Sequence, residues 1–192
     1  MIQLPISRQE AIELLKSMPQ QQSDWNHYLE SEAIMGALAK RLGEPEDYWK
    51  MLGLLHDVDW GITKGNSQEH LTKAPEILKN AGFDEKFIKI VLSHGYGFGC
   101  AGLKDLKRAE KVEHALACAE TVTGLIHAYA LMRKSLEGME VSGLKKKVKD
   151  KRFAAAINRE IIMECEKLGL SLDEFLDIAI KAVQSIAKDI GF

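Results

Sequence analysis

The sequence contains few cysteines, and none of them lies in a recognisable motif. Its three cysteines, Cys100, Cys118 and Cys165, are widely separated in a chain of 192 residues. Zinc knuckles need closely paired cysteines, and disulfide frameworks usually use an even number of them. The sequence therefore excludes a thiolate-held structural metal and a disulfide scaffold, and the fold has to be stabilised by a hydrophobic core.

The chain also lacks a strong net charge and a long apolar run. Its formal net charge is −2, so no overall basic field attracts nucleic acid, and no nucleic-acid partner is expected. No run reaches about 18 uninterrupted apolar residues, which predicts that no segment spans a membrane. Residues 1–5 have neither the basic nor the apolar region of a signal peptide. These absences predict a cytoplasmic protein.

Helical patterns account for nearly all of the chain. The hydrophobic fraction of 46% is ordinary for a globular protein, and 192 residues suffice for one core. No segment alternates as a strand does, and no repeat or low-complexity linker marks a boundary. The sequence predicts an all-α protein with a single domain over residues 1–192. Its predicted helices cover approximately residues 8–18, 24–42, 45–57, 68–81, 85–94, 106–134, 143–151, 157–168 and 172–190.

Capping residues mark the ends of several predicted helices. Ser7 and Glu10 form the pattern of a capping box at the start of the first helix. Ser23 or Asp24 is expected to cap the second helix at its start, and Gly43 is expected to end it.

A histidine–aspartate pair, His56-Asp57, closes the predicted third helix. The preceding residues 51–55 are apolar on all sides, which indicates a buried helix. A carboxylate at the end of such a helix is costly unless it is paired or bound to a metal. Other imidazoles and carboxylates lie on separate predicted elements, at His27, His70, His94 and Glu120. Imidazole and carboxylate are typical ligands of divalent iron, manganese, zinc and nickel, and the residues do not choose among these metals.

At these positions the chain resembles the HD-domain superfamily of metal-dependent phosphohydrolases, whose hallmark is H…HD…D. It is closest to the form H…HD…H…H…D and is similar to a small single-domain prokaryotic subfamily. The resemblance is carried by residues 25–27, 54–60, 92–94 and 149–160. It implies a helical bundle with a buried central metal site that holds one or two divalent ions. The implied ligands are His27, His56, Asp57 and Glu120 for the first ion, and Asp57, His70 and His94 for the second.

Glu120 departs from this pattern, because the last ligand of the superfamily is normally aspartate. Glutamate reaches one methylene, about 1.5 Å, farther than aspartate, so its carboxylate arrives at a metal from a different angle. Two interpretations stay open. Either Glu120 is a ligand, or it is a lapsed ligand and the first ion is held weakly or not at all.

Four further residues are candidates for catalysis or substrate binding. Asp59 lies two residues after Asp57 and is near enough to relay a proton from a metal-bound water, or else it caps the following loop. The run 145–152 contains six cations in eight residues, a pattern typical of a solvated helix face. Because residues 149–160 belong to the resemblance, some of their cations are also candidates to bind a phosphate group, namely Lys149, Lys151 and Arg159.

Residues 95–102 form a predicted loop with four glycines. The loop lacks the lysine and the preceding strand of a Walker phosphate-binding motif. Its two aromatic residues, Tyr96 and Phe98, are placed to cover a pocket.

The resemblance implies that a metal-activated water hydrolyses a small phosphorylated metabolite, with a nucleotide as one candidate. Phosphomonoesters, phosphodiesters and nucleotides are all compatible substrates, and no oligomeric state is indicated. Two alternatives remain. One is a degenerate HD domain that senses a nucleotide or another ligand, which the substitution at Glu120 favours. The other is a di-iron oxygenase, which oxygen consumption would distinguish from a hydrolase.

Overall fold

The computed structural model describes residues 3–192 and contains no strand over this range, which confirms the all-α class. The α-helices are α1 (Arg8–Lys16), α2 (Gln22–Leu42), α3 (Glu46–Leu55), α4 (Trp60–Thr63), α5 (Ala74–Asn80), α6 (Glu85–Ser93), α7 (Lys111–Arg133), α8 (Val141–Lys149), α9 (Arg159–Ile162) and α10 (Leu172–Ser185). Short 3-10 segments are found at Ser67–Glu69, Met163–Leu168 and Ala187–Ile190. The last two predicted helices therefore each continue as 3-10 turns.

Several helices begin and end at the residues that their capping signals indicate. At α1 the capping box is present, since the Glu10 N–H donates to Ser7 Oγ at 3.2 Å and the Ser7 N–H donates to the Glu10 carboxylate at 2.7 Å. Gly43 ends α2 with a φ of 72°, a conformation that favours glycine. The predicted start of α2 is wrong. Gln21 is the N-cap, and Asp24 accepts the N–H of Gln21 from the third helical position.

The predicted helix over residues 68–81 starts later than expected. After the 3-10 segment the backbone is extended at His70, and Leu71 has a positive φ of 67°. Helix α5 begins at Ala74 with Pro75 in its first turn, where the missing N–H of proline costs little. His70 consequently lies on a turn, which is held in place by contacts with other elements.

One hydrophobic core extends through the described residues, and α7 is its longest helix. By length and composition α7 could cross a membrane, with a mean hydropathy of 1.3 over its most apolar stretch. However, 61% of that stretch is buried inside the protein, where α7 packs against α2, α3, α6 and α10. Each large apolar side chain fully buried in this way contributes about 1.5–3 kcal/mol. The apolar character of α7 is therefore explained by its place in the core.

The crossing of α2 and α3 brings two of the histidines together. At Gly53 the helices are so close that a Cβ atom would lie 2.5 Å from the carbonyl oxygen of Ser31. A larger residue at this position would push the two helices apart. Because glycine permits the close crossing, His27 on α2 and His56 at the end of α3 lie side by side, with ring centroids 4.8 Å apart.

An ion-pair network secures the end of α6. The guanidinium of Arg108 donates to both carboxylate oxygens of Glu164, at 2.7 and 2.6 Å. The same guanidinium donates to the carbonyl oxygens of Ser93 at 2.8 Å and His94 at 3.4 Å. These carbonyls belong to the last turn of α6, so the network anchors the backbone that carries the His94 imidazole.

We expect Glu164→Gln to lower the free energy of unfolding at pH 7 by about 1–3 kcal/mol, because it weakens charged hydrogen bonds in a largely buried network. Burial would raise the pKa of Glu164, but the hydrogen bonds from Arg108 and His114 hold it below its ordinary value. The stabilisation is therefore present above the unfolded-state pKa and is lost as the pH falls through the folded-state pKa.

Urea unfolding of the wild type and the variant at pH 7, and at successively lower pH, measures this effect. The difference between the two proteins should shrink on acidification. The exposed Glu166, in the same 3-10 segment, supplies the control variant Glu166→Gln, which should unfold like the wild type. An unchanged urea midpoint for Glu164→Gln at pH 7 would show that the network contributes little.

Candidate metal centre

Four histidines and one aspartate converge in the interior of the fold. Nε2 of His27 lies 2.9 Å from Nε2 of His56, and Nε2 of His70 lies 3.3 Å from Nε2 of His94. Oδ1 of Asp57 is 3.0 Å from Nε2 of His94 and 3.3 Å from Nε2 of His70, and its Oδ2 is 3.6 Å from Nε2 of His27. The donor atoms form two groups, each within 4.8 Å, and Asp57 belongs to both.

Two of these histidines are oriented by the helices that precede them. His56 is the C-cap of α3 and His94 is the C-cap of α6. In each, Nδ1 points back at the carbonyl oxygen three residues earlier, at 2.8 Å from Gly53 and 2.7 Å from Val91. A carbonyl oxygen only accepts, so Nδ1 carries the proton and the lone pair of Nε2 faces the cluster.

The other two histidines are oriented by side chains of neighbouring elements. The Thr123 hydroxyl donates to the carbonyl oxygen of Glu120 at 2.6 Å, and it therefore accepts the Nδ1–H of His27 at 2.8 Å. Nδ1 of His70 faces Oδ1 of Asp59 at 3.3 Å. Each imidazole of the cluster thus turns Nε2 toward the same space, as metal-binding histidines do.

The spacing of these nitrogens fits a bound cation. Two Nε2 lone pairs that face one another at 2.9 Å repel unless a proton or a metal lies between them. Nitrogen ligands at about 2.1 Å from one metal, with roughly 90–110° between the bonds, are about 3.0–3.4 Å apart. The observed separations of 2.9 and 3.3 Å are close to this range. Imidazole nitrogens with a carboxylate oxygen suit a divalent transition metal.

Burial and Asp57 determine the protonation of the cluster. Burial lowers the pKa of His56 to about 3, so this imidazole is neutral. Burial would raise the pKa of Asp57, but the histidines around it hold that pKa well below its ordinary value. For His70, burial lowers the pKa, but hydrogen bonds to Asp57 and Asp59 raise it to about 10. A metal ligated by Nε2 of His70 has to displace this proton.

Glu120 lines the same cavity but lies outside both donor groups. It is on α7, and the hydroxyl of Thr121 donates to its Oε1. Burial raises the pKa of the Glu120 carboxyl above its ordinary value, although His94 and His27 oppose the shift. Ligation by Glu120 therefore stays a prediction.

Asp59 does not reach the cavity. It is fully buried, and its carboxylate accepts the backbone N–H groups of Leu71 at 3.1 Å, Lys73 at 3.0 Å and Ala74 at 3.2 Å. Backbone amides and the His70 ring face its oxygens, which favours the capping role, and the proton relay from a metal-bound water stays a prediction. Asp59 accepts hydrogen bonds from the loop and from the start of α5, and its Oδ1 faces Nδ1 of His70.

The three cations expected to bind phosphate do not line the cavity either. Lys149 and Lys151 are exposed and lie outside it. The guanidinium of Arg159 donates to backbone carbonyl oxygens, among them those of Ala154 at 2.7 Å and Ile157 at 2.6 Å. Arg159 therefore holds the turn before α9 in shape, a placement that disfavours a contact with phosphate, and that contact stays a prediction.

The cavity next to the cluster has a volume of about 580 Å³. Phe98 lines it as expected, whereas Tyr96 is buried and does not. The sequence patterns did not single out Trp60 and Ile157, which also line it. Trp60 is the last residue of one segment of the family resemblance, and this position could have identified it as a candidate for the site. Ile157 approaches Gly124 so closely that a Cβ there would lie 2.7 Å from its Cδ1, a contact that no sequence pattern reveals.

A comparison with protein-family models agrees with this geometry. The model of the HD domain matches residues 24–150, which is more than half of the chain and includes every candidate ligand. No curated protein and no solved structure matches the chain. The matched segment holds the His–Asp cluster and the helices that position it. The chain therefore belongs to the HD-domain family, within the superfamily of metal-dependent phosphohydrolases.

Proposed function

We propose that the protein hydrolyses a small phosphorylated metabolite at a metal centre formed by the His–Asp cluster. One observation carries the proposal: four Nε2 atoms converge with the Asp57 carboxylate beside a cavity of about 580 Å³, and three of the histidines and Asp57 line its wall. This volume is within the range of small-molecule sites. The donor groups suggest that His27 and His56 hold one divalent ion, that His70 and His94 hold a second, and that Asp57 contacts both.

The bound ions, the histidines and Glu120 would contribute to this mechanism in different ways. Bound divalent ions supply a water of lowered pKa and offset negative charge on the phosphoryl group. His56 and His94 keep their lone pairs aimed through the hydrogen bonds of Nδ1 to helix carbonyls. Thr121 engages Oε1 of Glu120, which leaves Oε2 as the atom to ligate an ion or accept a proton within the cavity.

Metal content tests the assignment of the ligands. His27→Ala and His70→Ala should each lower the metal content, and Asp57→Ala should lower it most, because Asp57 belongs to both donor groups. Elemental analysis of the purified proteins measures this. A chelator should also lower the melting temperature of the wild type, since metal bound to the native state stabilises it. A wild type that binds no metal would contradict the proposal.

A matched control for these variants is His127→Gln. His127 is also a partly buried histidine on a core helix, but its Nδ1 pairs with Glu30 at 2.9 Å and it does not line the cavity. Its replacement should leave metal content unchanged.

In a panel of phosphomonoesters, phosphodiesters and nucleotides, the metal-loaded wild type should turn over at least one substrate class. His56→Ala should lose about 100-fold or more of that rate. Retained turnover in His56→Ala would remove this residue from the mechanism.

Asp59→Asn distinguishes a positioning role from the proton relay. If Asp59 orients His70, the variant should bind metal about 10–100-fold more weakly, and saturating metal should restore much of its turnover. Titration with metal, followed by binding and by rate, separates the two effects. Unchanged metal affinity together with lost turnover at saturating metal would instead support a role of Asp59 in proton transfer.

A second candidate function is a ligand sensor without turnover. The specific observation in its favour is that Glu120 occupies the place of the family aspartate and lies outside both donor groups. Glu120→Asp should raise metal occupancy or turnover if glutamate is a handicap at this position. A fall in either quantity would mean that the site is adapted to glutamate. Metal analysis and the substrate panel, applied to the variant and the wild type together, decide between these outcomes.

A further inference from the structure

We propose that this cavity selects a phosphomonoester whose organic group is uncharged and largely apolar, and that it discriminates against nucleoside polyphosphates. The inference rests on the proposed function and narrows its substrate class. It starts from the lining of the cavity beyond the cluster. Among residues 3–192 no lysine or arginine lines this space, while Trp60, Phe98, Ala156 and Ile157 do.

Two arginines on segments next to the cavity, Arg108 and Arg159, direct their guanidinium groups at other parts of the protein. Arg159 directs its guanidinium at backbone carbonyl oxygens of the turn 150–157. Arg108 is bound by the Glu164 carboxylate and by carbonyl oxygens at the end of α6. Polyphosphate sites commonly use such side chains to pair each additional phosphate group. Among residues 3–192, no cationic side chain lines this cavity, so an anion would be paired chiefly by metal ions at the cluster.

The formal charges of the site match one dianionic group. The carboxylates of Asp57 and Glu120 bring two negative charges to the cavity. Two divalent ions would leave an excess of positive charge at the site, and one phosphomonoester group is enough to neutralise it. The further phosphates of a nucleoside triphosphate would be left without partners in a space partly removed from water, and unpaired charge is costly there.

Apolar surface lies directly beside the place where the phosphoryl group would bind. The indole of Trp60 is nearly perpendicular to the His70 imidazole, with ring centroids 5.1 Å apart. Phe98, between Gly97 and Gly99, is 44% exposed although it lines the cavity. An exposed aromatic ring at a cavity gains burial when an apolar group binds against it. These rings therefore offer apolar contact to the organic part of the substrate.

Binding of non-hydrolysable phosphonates tests this selectivity without turnover. By calorimetry on the metal-loaded protein, phenylphosphonate should bind roughly 10-fold more tightly than methylphosphonate. A β,γ-imido analogue of ATP should bind more weakly than phenylphosphonate. Phe98→Ala should remove most of the advantage of the phenyl group and leave methylphosphonate affinity unchanged. Leu106→Ala is the control, because Leu106 is 47% exposed but does not line the cavity.

The possible results separate this inference from the proposed function. Equal affinities for the two phosphonates, or tighter binding of the ATP analogue, would overturn the selectivity while the hydrolase proposal stands. An advantage of phenylphosphonate that survives in Phe98→Ala and in Trp60→Leu would overturn the assignment of the aromatic wall. If no phosphonate binds and no phosphate ester is hydrolysed, the proposed function itself fails.

Discussion

The hydrogen bonds of the Nδ1 atoms are the constraint on which the candidate site depends. A neutral imidazole has one donor and one acceptor nitrogen, so an acceptor at Nδ1 determines what Nε2 presents. Helix carbonyls provide that acceptor for His56 and His94, and the hydroxyl of Thr123 provides it for His27. Without these partners the rings could rotate or change tautomer, and the lone pairs would no longer meet near Asp57.

Existing hydrogen bonds also explain why the cavity has few charged side chains. The fold uses Arg108 and Arg159 to bind backbone carbonyl oxygens at turns beside the site. These contacts hold the backbone around His94 and before α9, and they keep the guanidinium groups out of the cavity. Asp59 is used in the same way, since it satisfies backbone amides at the start of α5. Within the part of the chain that the structure describes, only the cluster and Glu120 therefore bring charge to a cavity that aromatic and aliphatic residues also line.

The accuracy of the sequence-based predictions varied with the range of the interactions involved. Ser7 with Glu10 and Gly43 act within one helical turn, and the structure confirms them. The helix over residues 68–81 was predicted too long, because the turn at His70 is stabilised by Asp59, a contact between separate elements. Lys149, Lys151 and Arg159 were selected for phosphate from charge and resemblance alone. The charge of a residue does not indicate in which direction its side chain points. These side chains point to solvent or to the backbone.

By itself the sequence determined the helical class, the family, and the order of the imidazole and carboxylate side chains along the chain. Apolar periodicity and local capping act between neighbouring residues, and the motif is recognised from the order of its residues along the chain. Tertiary structure alone decided that α2 and α3 cross closely at Gly53, and that Ile157 packs against Gly124 at the wall of the cavity. These features depend on packing between segments far apart in the chain, where a contact of a few ångströms is set by the whole core.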